Sequence, residues 1–175
     1  MKKVIGCLMM VSICTSTLLA ERVHIEGYMK DSSFEAGDSW LDSGKRRHFV
    51  SARSFGEISL YSEFFSFKGT TESDLYLSFF DSNFNGTVIT KEVWKSSHNS
   101  SSGFKGHATC DITGGSIICS MWFKGIGDYQ GKIMELSFNE IDVNTPNRRN
   151  PNLDDPERSN NIFALEGFMI DEPKD

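Results

Sequence analysis

The chain has 175 residues, with 18 basic and 24 acidic side chains, a net charge of −6 and 38% hydrophobic residues. This acidic balance argues against nucleic acid and anionic membrane surfaces as partners, because both attract positively charged faces. The length suits one domain with a hydrophobic core, and the plentiful Phe, Ser, Thr, Ile and Val favour strands over helices.

The first 20 residues have the three parts of a secretory signal peptide. Two lysines follow the initial Met, an uncharged apolar run covers 4–14, and Ala20 precedes the first acid. The apolar run is too short to span a membrane. We therefore predict a signal peptide at 1–20 and a secreted or periplasmic domain at 21–175 without a membrane span. Loss of the two lysines would change the net charge from −6 to −8.

Alternation of apolar and polar residues predicts short strands along the rest of the chain. In the segment 132–139, for example, Met134, Leu136 and Phe138 would face a core. Gly-, Ser- and Asn-rich turns separate the predicted strands, which are 23–29, 47–55, 57–67, 74–80, 87–94, 104–112, 116–123, 132–139 and 162–170. Their number and spacing predict one all-β domain, an antiparallel β-sandwich or a jelly-roll-like barrel.

The segment 81–92, DSNFNGTVITKE, has the spacing of a calcium-binding loop. Asp and Asn occupy positions 1, 3 and 5, Gly position 6 and Glu position 12, which matches the pattern D-x-D/N-x-D/N-G-x5-E. Over these twelve residues the chain resembles the EF-hand family. The resemblance implies calcium ligands from the side chains of Asp81, Asn83, Asn85 and Glu92 and from the backbone carbonyl of Thr87.

The flanks of this segment favour strands over the two helices of an EF-hand. The run Thr-Val-Ile-Thr at 87–90 is β-branched, and a serine-rich connector follows soon after Glu92. Two hypotheses remain for 81–92: a calcium site on a β-hairpin, or a turn built from Asp, Asn and Gly. With two carboxylates among its ligands, such a site would bind calcium with a Kd of about 10⁻⁴–10⁻³ M.

The segment 110–119, CDITGGSIIC, predicts a stapled hairpin. Its central Gly-Gly is a two-residue turn signal. Pairing outward from this turn places Cys110 opposite Cys119 in a non-hydrogen-bonded pair, where Cα atoms lie about 4.5 Å apart. That separation permits a disulfide, which an exported protein is expected to form. The same register places His107 opposite Trp122 as a cross-strand packing pair.

Three further segments complete the chain. The ends resemble each other, since VHIEGYMKD at 23–31 and FALEGFMID at 163–171 share Glu, Gly, Met and Asp at matching positions. We predict that both are strands with a glycine bulge at similar sheet edges. The segment 144–161 carries three of the four prolines and almost nothing apolar, which predicts a mobile loop or a recognition segment.

No catalytic motif is present in the sequence. It contains neither H-E-x-x-H nor G-x-S-x-G, and its histidines lack helical zinc spacing. Glu57, Glu63 and Glu135 lie on or beside predicted strands and could supply a carboxylate pair for sugar hydrolysis, although the sequence selects no pair. The three Trp and four Tyr residues could form either a sugar-stacking surface or core.

The sequence therefore predicts an exported, non-catalytic binding or interaction module, supported by Ca²⁺, whose partner is a carbohydrate or a cell-envelope protein. The absence of a catalytic motif and the calcium-type loop together favour this function. Two alternatives remain: a secreted, glycosidase-like hydrolase that uses carboxylates, and an envelope structural or inhibitor protein.

Overall fold

The computed structural model describes residues 22–42, 44, 47–79, 85–114, 116–140 and 162–173. The predicted signal peptide at 1–20 and the predicted loop at 144–161 lie outside these residues. The strands are β1 (Val23–Asp42), β2 (Arg47–Tyr61), β3 (Ser66–Phe79), β4 (Gly86–Ser96), β5 (Gly103–Thr113), β6 (Ser116–Ile126), β7 (Lys132–Glu140) and β8 (Ile162–Asp171), with a 3-10 helix at Gly127–Tyr129. Within the described part of the chain, no helix is long and apolar enough to span a membrane.

The eight strands form one closed barrel in chain order, and each pairs antiparallel with its neighbours. The barrel closes where β1 pairs with β8, from Val23 opposite Met169 to Lys30 opposite Ile162. The all-β prediction is confirmed, but the arrangement is a single up-and-down barrel instead of two packed sheets. Short connections explain the order from β1 to β7, because a turn of a few residues joins only adjacent antiparallel strands.

β2 runs without a break through Gly56, where we predicted the end of one strand and the start of another. Gly56 pairs with Asp31 on one side and Thr71 on the other. A Cβ at Gly56 would lie 2.3 Å from the carbonyl oxygen of Lys30. The glycine therefore permits close packing of β1 against β2 instead of ending a strand, and eight strands replace the nine predicted.

The two similar end segments pair with each other, and Glu26 lies opposite Glu166. The pairing register is continuous through Gly27 and Gly167. Our prediction of glycine bulges at sheet edges is therefore wrong. Barrel closure gives both segments a partner on each side, so neither is an edge. At Gly27 and Gly167 the continuous register leaves no extra residue for a bulge, and the register shifts of β1 come after Asp31.

Aromatic rings fill the interior at one end of the barrel, here called the plug end. This end carries the turn at 62–65, the loop at 97–102 and the 3-10 helix. Four rings pack there with neighbouring centroids 5.0 to 6.3 Å apart, namely Phe65, Phe67, Phe104 and Tyr129. Trp94 lies deeper, 3.8 Å from Phe123 between ring centroids. Phe67, Phe104, Trp94 and Phe123 are buried core residues, and the partly buried rings of Phe65 and Tyr129 pack against the core.

The middle of the interior is polar on one side. Strands β2 to β4 contribute small buried hydroxyl side chains and one buried carboxylate, which are Ser54, Thr71, Ser73, Thr90 and Glu92. The facing wall from β5 to β8 is apolar at this level, with Ala108, Met121, Leu136 and Leu165 buried. Together with Asp31 on the adjoining β1, which is 4% exposed, these polar side chains form a patch on the wall from β1 to β4.

Candidate functional site: a basic and aromatic face beside a groove

The described residues of the predicted calcium loop, from Asn85 to Glu92, follow the start of β4 along the barrel wall. Asp81 and Asn83 lie outside the described residues. Asn85 directly precedes β4, and its side-chain oxygen accepts a hydrogen bond of 2.7 Å from the backbone N–H of Gly114. Thr87 lies on β4, on the outer side of the wall. The start of β4 is thereby tied to the β5–β6 turn.

Glu92 lies inside the barrel and is only 3% exposed. Its Oε1 accepts a hydrogen bond from the Thr90 hydroxyl at 2.8 Å, and its Oε2 accepts from the Ser73 hydroxyl at 2.9 Å and the Trp94 indole N–H at 3.0 Å. Strand rise places it about 23 Å from Asn85. The structure does not bring these two predicted ligands together.

Burial raises the pKa of Glu92 above its ordinary value of 4.5, because the charged form loses its hydration inside the barrel. Hydrogen bonds from Thr90, Trp94 and Ser73 act in the opposite direction, since they stabilise the carboxylate. No Lys, Arg or His among the described residues lies within ion-pair distance of Glu92. Loss of hydration therefore has the largest effect on the pKa of this carboxyl group.

In the part of the chain that the structure describes, no three His, Cys, Asp or Glu side chains are grouped as metal ligands. Two predicted calcium ligands fall outside that part. The calcium site at 81–92 therefore stays a prediction, as does the alternative of a polar turn.

The predicted β5–β6 hairpin is confirmed in its register. Cys110 lies opposite Cys119, their Cα atoms are 4.0 Å apart, and a disulfide joins them. Both cysteines are buried on the interior side, at 2% and 1% exposure. His107 lies opposite Trp122 as predicted, with ring centroids 6.0 Å apart on the outer side.

The outer surface of β4, β5 and β6 gathers positive charge. The alternation along each strand turns four exposed lysines outward, and among the described outward positions of these strands only Asp111 is acidic. The basic–aromatic face consists of these lysines with the neighbouring ring pair: Lys91, Lys95, Lys105, Lys124, His107 and Trp122. Because the whole chain carries −6, its charge is segregated by face.

Two of these lysines, Lys105 and Lys124, lie directly opposite each other. Like charges in this position destabilise an antiparallel pair. Lys124 is neutralised by Glu172, with Nζ 2.6 Å from Oε1, whereas no carboxylate among the described residues lies within ion-pair distance of Lys105. Trp122 is 38% exposed in the adjacent row. The face thus presents an unneutralised ammonium group beside an exposed indole ring.

A groove of about 420 Å³ adjoins the face on its β3 side. It is lined by two carboxylates, two ammonium groups, two hydroxyls and two aliphatic side chains, which are Glu72, Asp74, Lys95, Lys105, Ser100, Ser101, Val93 and Ile126. Arg53 donates to both carboxylates, with Nε 3.1 Å from Asp74 Oδ1. Lys95 Nζ lies 3.5 Å from Glu72 Oε2. Both acids of the groove are therefore held by cations.

The other candidate residues are dispersed. Glu57 lies outward on β2 and Glu135 on β7, and β1 and β8 separate these strands. Glu63 lies in the turn between β2 and β3. The structure does not pair these acids. Of the tryptophans, Trp94 is core, whereas Trp40 stacks on Phe49 with centroids 5.3 Å apart outside the barrel.

The four lysines are not predictable as one face from the sequence, because they come from three segments that only the strand register brings together. A partial signal was present in KEVWK at 91–95, where period-two alternation places both lysines on one side and Glu92 with Trp94 on the other. No family model, curated protein or solved structure matches this chain.

Proposed function

We propose that this protein is an exported, non-catalytic binding module that recognises an acidic carbohydrate through the basic–aromatic face and its groove. The proposal rests mainly on Lys105. This lysine has no carboxylate partner among the described residues, and it lies opposite Lys124 although the chain as a whole is acidic. An anionic ligand would give Lys105 the kind of partner that Glu172 already gives Lys124.

The face and groove offer each type of contact that an acidic sugar requires. Lysine ammonium groups form charge-assisted hydrogen bonds with carboxylate or sulfate groups. The exposed indole of Trp122 offers an apolar surface to the C–H face of a sugar ring. Ser100, Ser101 and the groove carboxylates provide hydrogen-bonding groups for hydroxyls, above the aliphatic side chains of Val93 and Ile126. Six of the eight lining residues are polar or charged, which suits a ligand that carries many hydroxyl and acidic groups.

The second candidate is a glycosidase-like hydrolase, which the presence of Glu72 and Asp74 in one groove favours. Such an enzyme needs one carboxyl group that gives its proton to the leaving oxygen. Here both carboxylates accept hydrogen bonds from the single guanidinium group of Arg53. This shared contact supports a binding role for the two acids over an acid–base role.

Calorimetry with oligogalacturonate, and with maltooligosaccharide as the neutral counterpart, tests the proposal. We expect the acidic ligand to bind more tightly, with an affinity that falls as salt is added. Lys105→Ala and Trp122→Ala should each weaken binding by about 10-fold, equivalent to about 1.4 kcal/mol. Lys30→Ala, which removes an exposed lysine from β1, is the matched control and should leave affinity unchanged.

Equal affinity for both oligosaccharides, or unaltered binding by Lys105→Ala, would refute recognition of an acidic sugar by this face. New reducing ends released by the wild type and abolished in Glu72→Gln would instead establish the hydrolase.

Calcium support belongs to the same proposal and has its own test. A ligand that binds only the folded chain stabilises it, so 10 mM calcium with a Kd of about 10⁻⁴–10⁻³ M should contribute about 1–3 kcal/mol. We expect a higher melting temperature in calcium than in chelator, and loss of the difference in Asp81→Ala. An unchanged melting temperature in the wild type would exclude the calcium site.

A further inference from the structure

A second pocket, of about 490 Å³, lies at the plug end between the start of β1 and the turn at 62–65. Its lining combines two exposed aromatic rings with two carboxylates, a histidine and an arginine: Tyr61, Phe64, Glu26, Glu63, His24 and Arg22. These residues belong to β1, to Arg22 directly before it, to β2 and to the turn, so this pocket is separate from the basic–aromatic face on β4 to β6.

The turn presents Phe64 to solvent in a fixed position. The backbone N–H of Ser62 donates to the carbonyl of Phe65 at 2.8 Å, and the N–H of Phe64 donates to Ser62 Oγ at 3.3 Å. Phe65 packs into the aromatic plug, whereas Phe64 is 80% exposed and Tyr61 51% exposed. Two large rings are therefore displayed by a turn that the core anchors, as in aromatic anchors at protein interfaces.

The molecule itself shows what such a combination of ring and carboxylate binds. The guanidinium of Arg22 lies 5.1 Å from the Phe168 ring centroid and 3.4 Å from Glu135 Oε2. The guanidinium of Arg53 lies 5.4 Å from the Phe55 centroid while it contacts Asp74 and Glu72. In both places an arginine combines a cation–π contact with an ion pair.

The pocket also combines aromatic rings with a carboxylate, as the surroundings of Arg22 and Arg53 do. Glu63 has no ion-pair partner among the described residues, and it lies beside Tyr61 and Phe64 in the lining. Glu26 Oε1 lies 3.7 Å from His24 Nδ1. Arg22 also lines the pocket, but its guanidinium is engaged with Glu135 and Phe168. The pocket therefore holds rings and a carboxylate available to a cation from outside the chain.

We propose that this pocket binds an arginine side chain of a partner protein. A planar guanidinium group stacks on an aromatic ring and donates hydrogen bonds to carboxylates at the same time, which an ammonium group does less well. The carboxylates supply the charge complementarity, and Phe64 supplies apolar area that the partner covers. This inference is independent of carbohydrate binding, since the two sites share no residue.

Titration of the protein with acetyl-arginine N-methylamide, followed by amide chemical shifts in NMR, tests the proposal. We expect saturable shifts at residues of the turn and of early β1, with millimolar affinity for a single side chain. The citrulline analogue is nearly isosteric and uncharged, and it should bind at least about 10-fold more weakly because it lacks the ion pair and the cation–π contact. Choline is the comparison for a small quaternary ammonium ligand.

Glu63→Gln and Phe64→Ser should each weaken binding of the arginine probe by about 5-fold or more, whereas Tyr76→Ser, at a tyrosine on β3 that is 48% exposed, should leave it unchanged. Equal binding of the citrulline analogue would overturn the proposal, as would full retention of binding in both pocket variants. Tighter binding of choline than of the arginine probe would also overturn it, in favour of a small-molecule cation.

Discussion

Two carboxylate networks lie back to back on the two sides of the barrel wall at β3. Outside, Glu72 and Asp74 contact the guanidinium of Arg53 in partial exposure to solvent. Inside, Ser73 donates to Glu92, which is buried with hydroxyl and indole donors but no described cation. The outer network depends on charge and the inner one on hydrogen bonds, so the two should respond differently to mutation, pH and salt.

The largest effect is expected from Thr90→Val, which removes a hydroxyl while preserving shape. This hydroxyl donates to Glu92 and accepts from the backbone N–H of Ala108 at 3.1 Å. Loss of both hydrogen bonds should lower the free energy of unfolding by about 2–4 kcal/mol. Thr87→Val, on the outer side of the same strand, should change it by about 0.5 kcal/mol or less. If urea unfolding showed the same loss of stability in Thr90→Val and Thr87→Val, the inner hydrogen bonds would not contribute more than the outer surface does.

The second effect is a pH-dependent increase in the free energy of unfolding of the variant Glu92→Gln. Burial raises the pKa of Glu92 in the folded state, so its contribution to stability is complete below the unfolded pKa, near 4.5, and declines as the pH rises through the folded pKa. Glutamine does not ionise, and its Oε1 can still accept from Ser73 and Trp94 while its Nε2 donates to Thr90.

We therefore expect Glu92→Gln to exceed the wild type in stability at neutral pH, because the glutamine avoids the desolvation of a buried carboxylate. The gain should disappear towards pH 4. Thermal unfolding of both proteins between pH 4 and 8 measures this. A difference that is constant with pH would show that Glu92 does not titrate across this range.

The smallest effect is expected outside the barrel, from Arg53→Ala. Exposed ion pairs contribute about 0.2–1 kcal/mol, and Arg53 is 47% exposed. The loss should shrink in 1 M salt, where the screening length falls to about 3 Å, whereas the loss in Thr90→Val should persist. If Arg53→Ala lowered the free energy of unfolding by more than about 2 kcal/mol at every salt concentration, the outer network would behave as a buried ion pair does.

Local patterns predicted the hairpin at 110–119 completely, because its turn and its cysteines specify one register. They failed at Gly56, where the requirement for glycine comes from the backbone of β1, a different part of the chain. Glu92 satisfied a loop pattern at its position 12, yet its surroundings are set by Ser73 on the neighbouring strand. The lysine face was missed for the same reason, since the pairing of β4, β5 and β6 assembles it.

The closure of the barrel by β1 and β8 sets a condition on folding. Every other strand pair joins sequence neighbours, and the six pairs from β1 to β7 are linked by short turns, so they can form locally and fast. The last pairing joins segments about 140 residues apart and must await β8. Until then β1 and β7 present unpaired backbone groups, and such edges are templates for aggregation. The topology therefore makes this chain most prone to aggregation just before the final folding step, in which β8 pairs with β1.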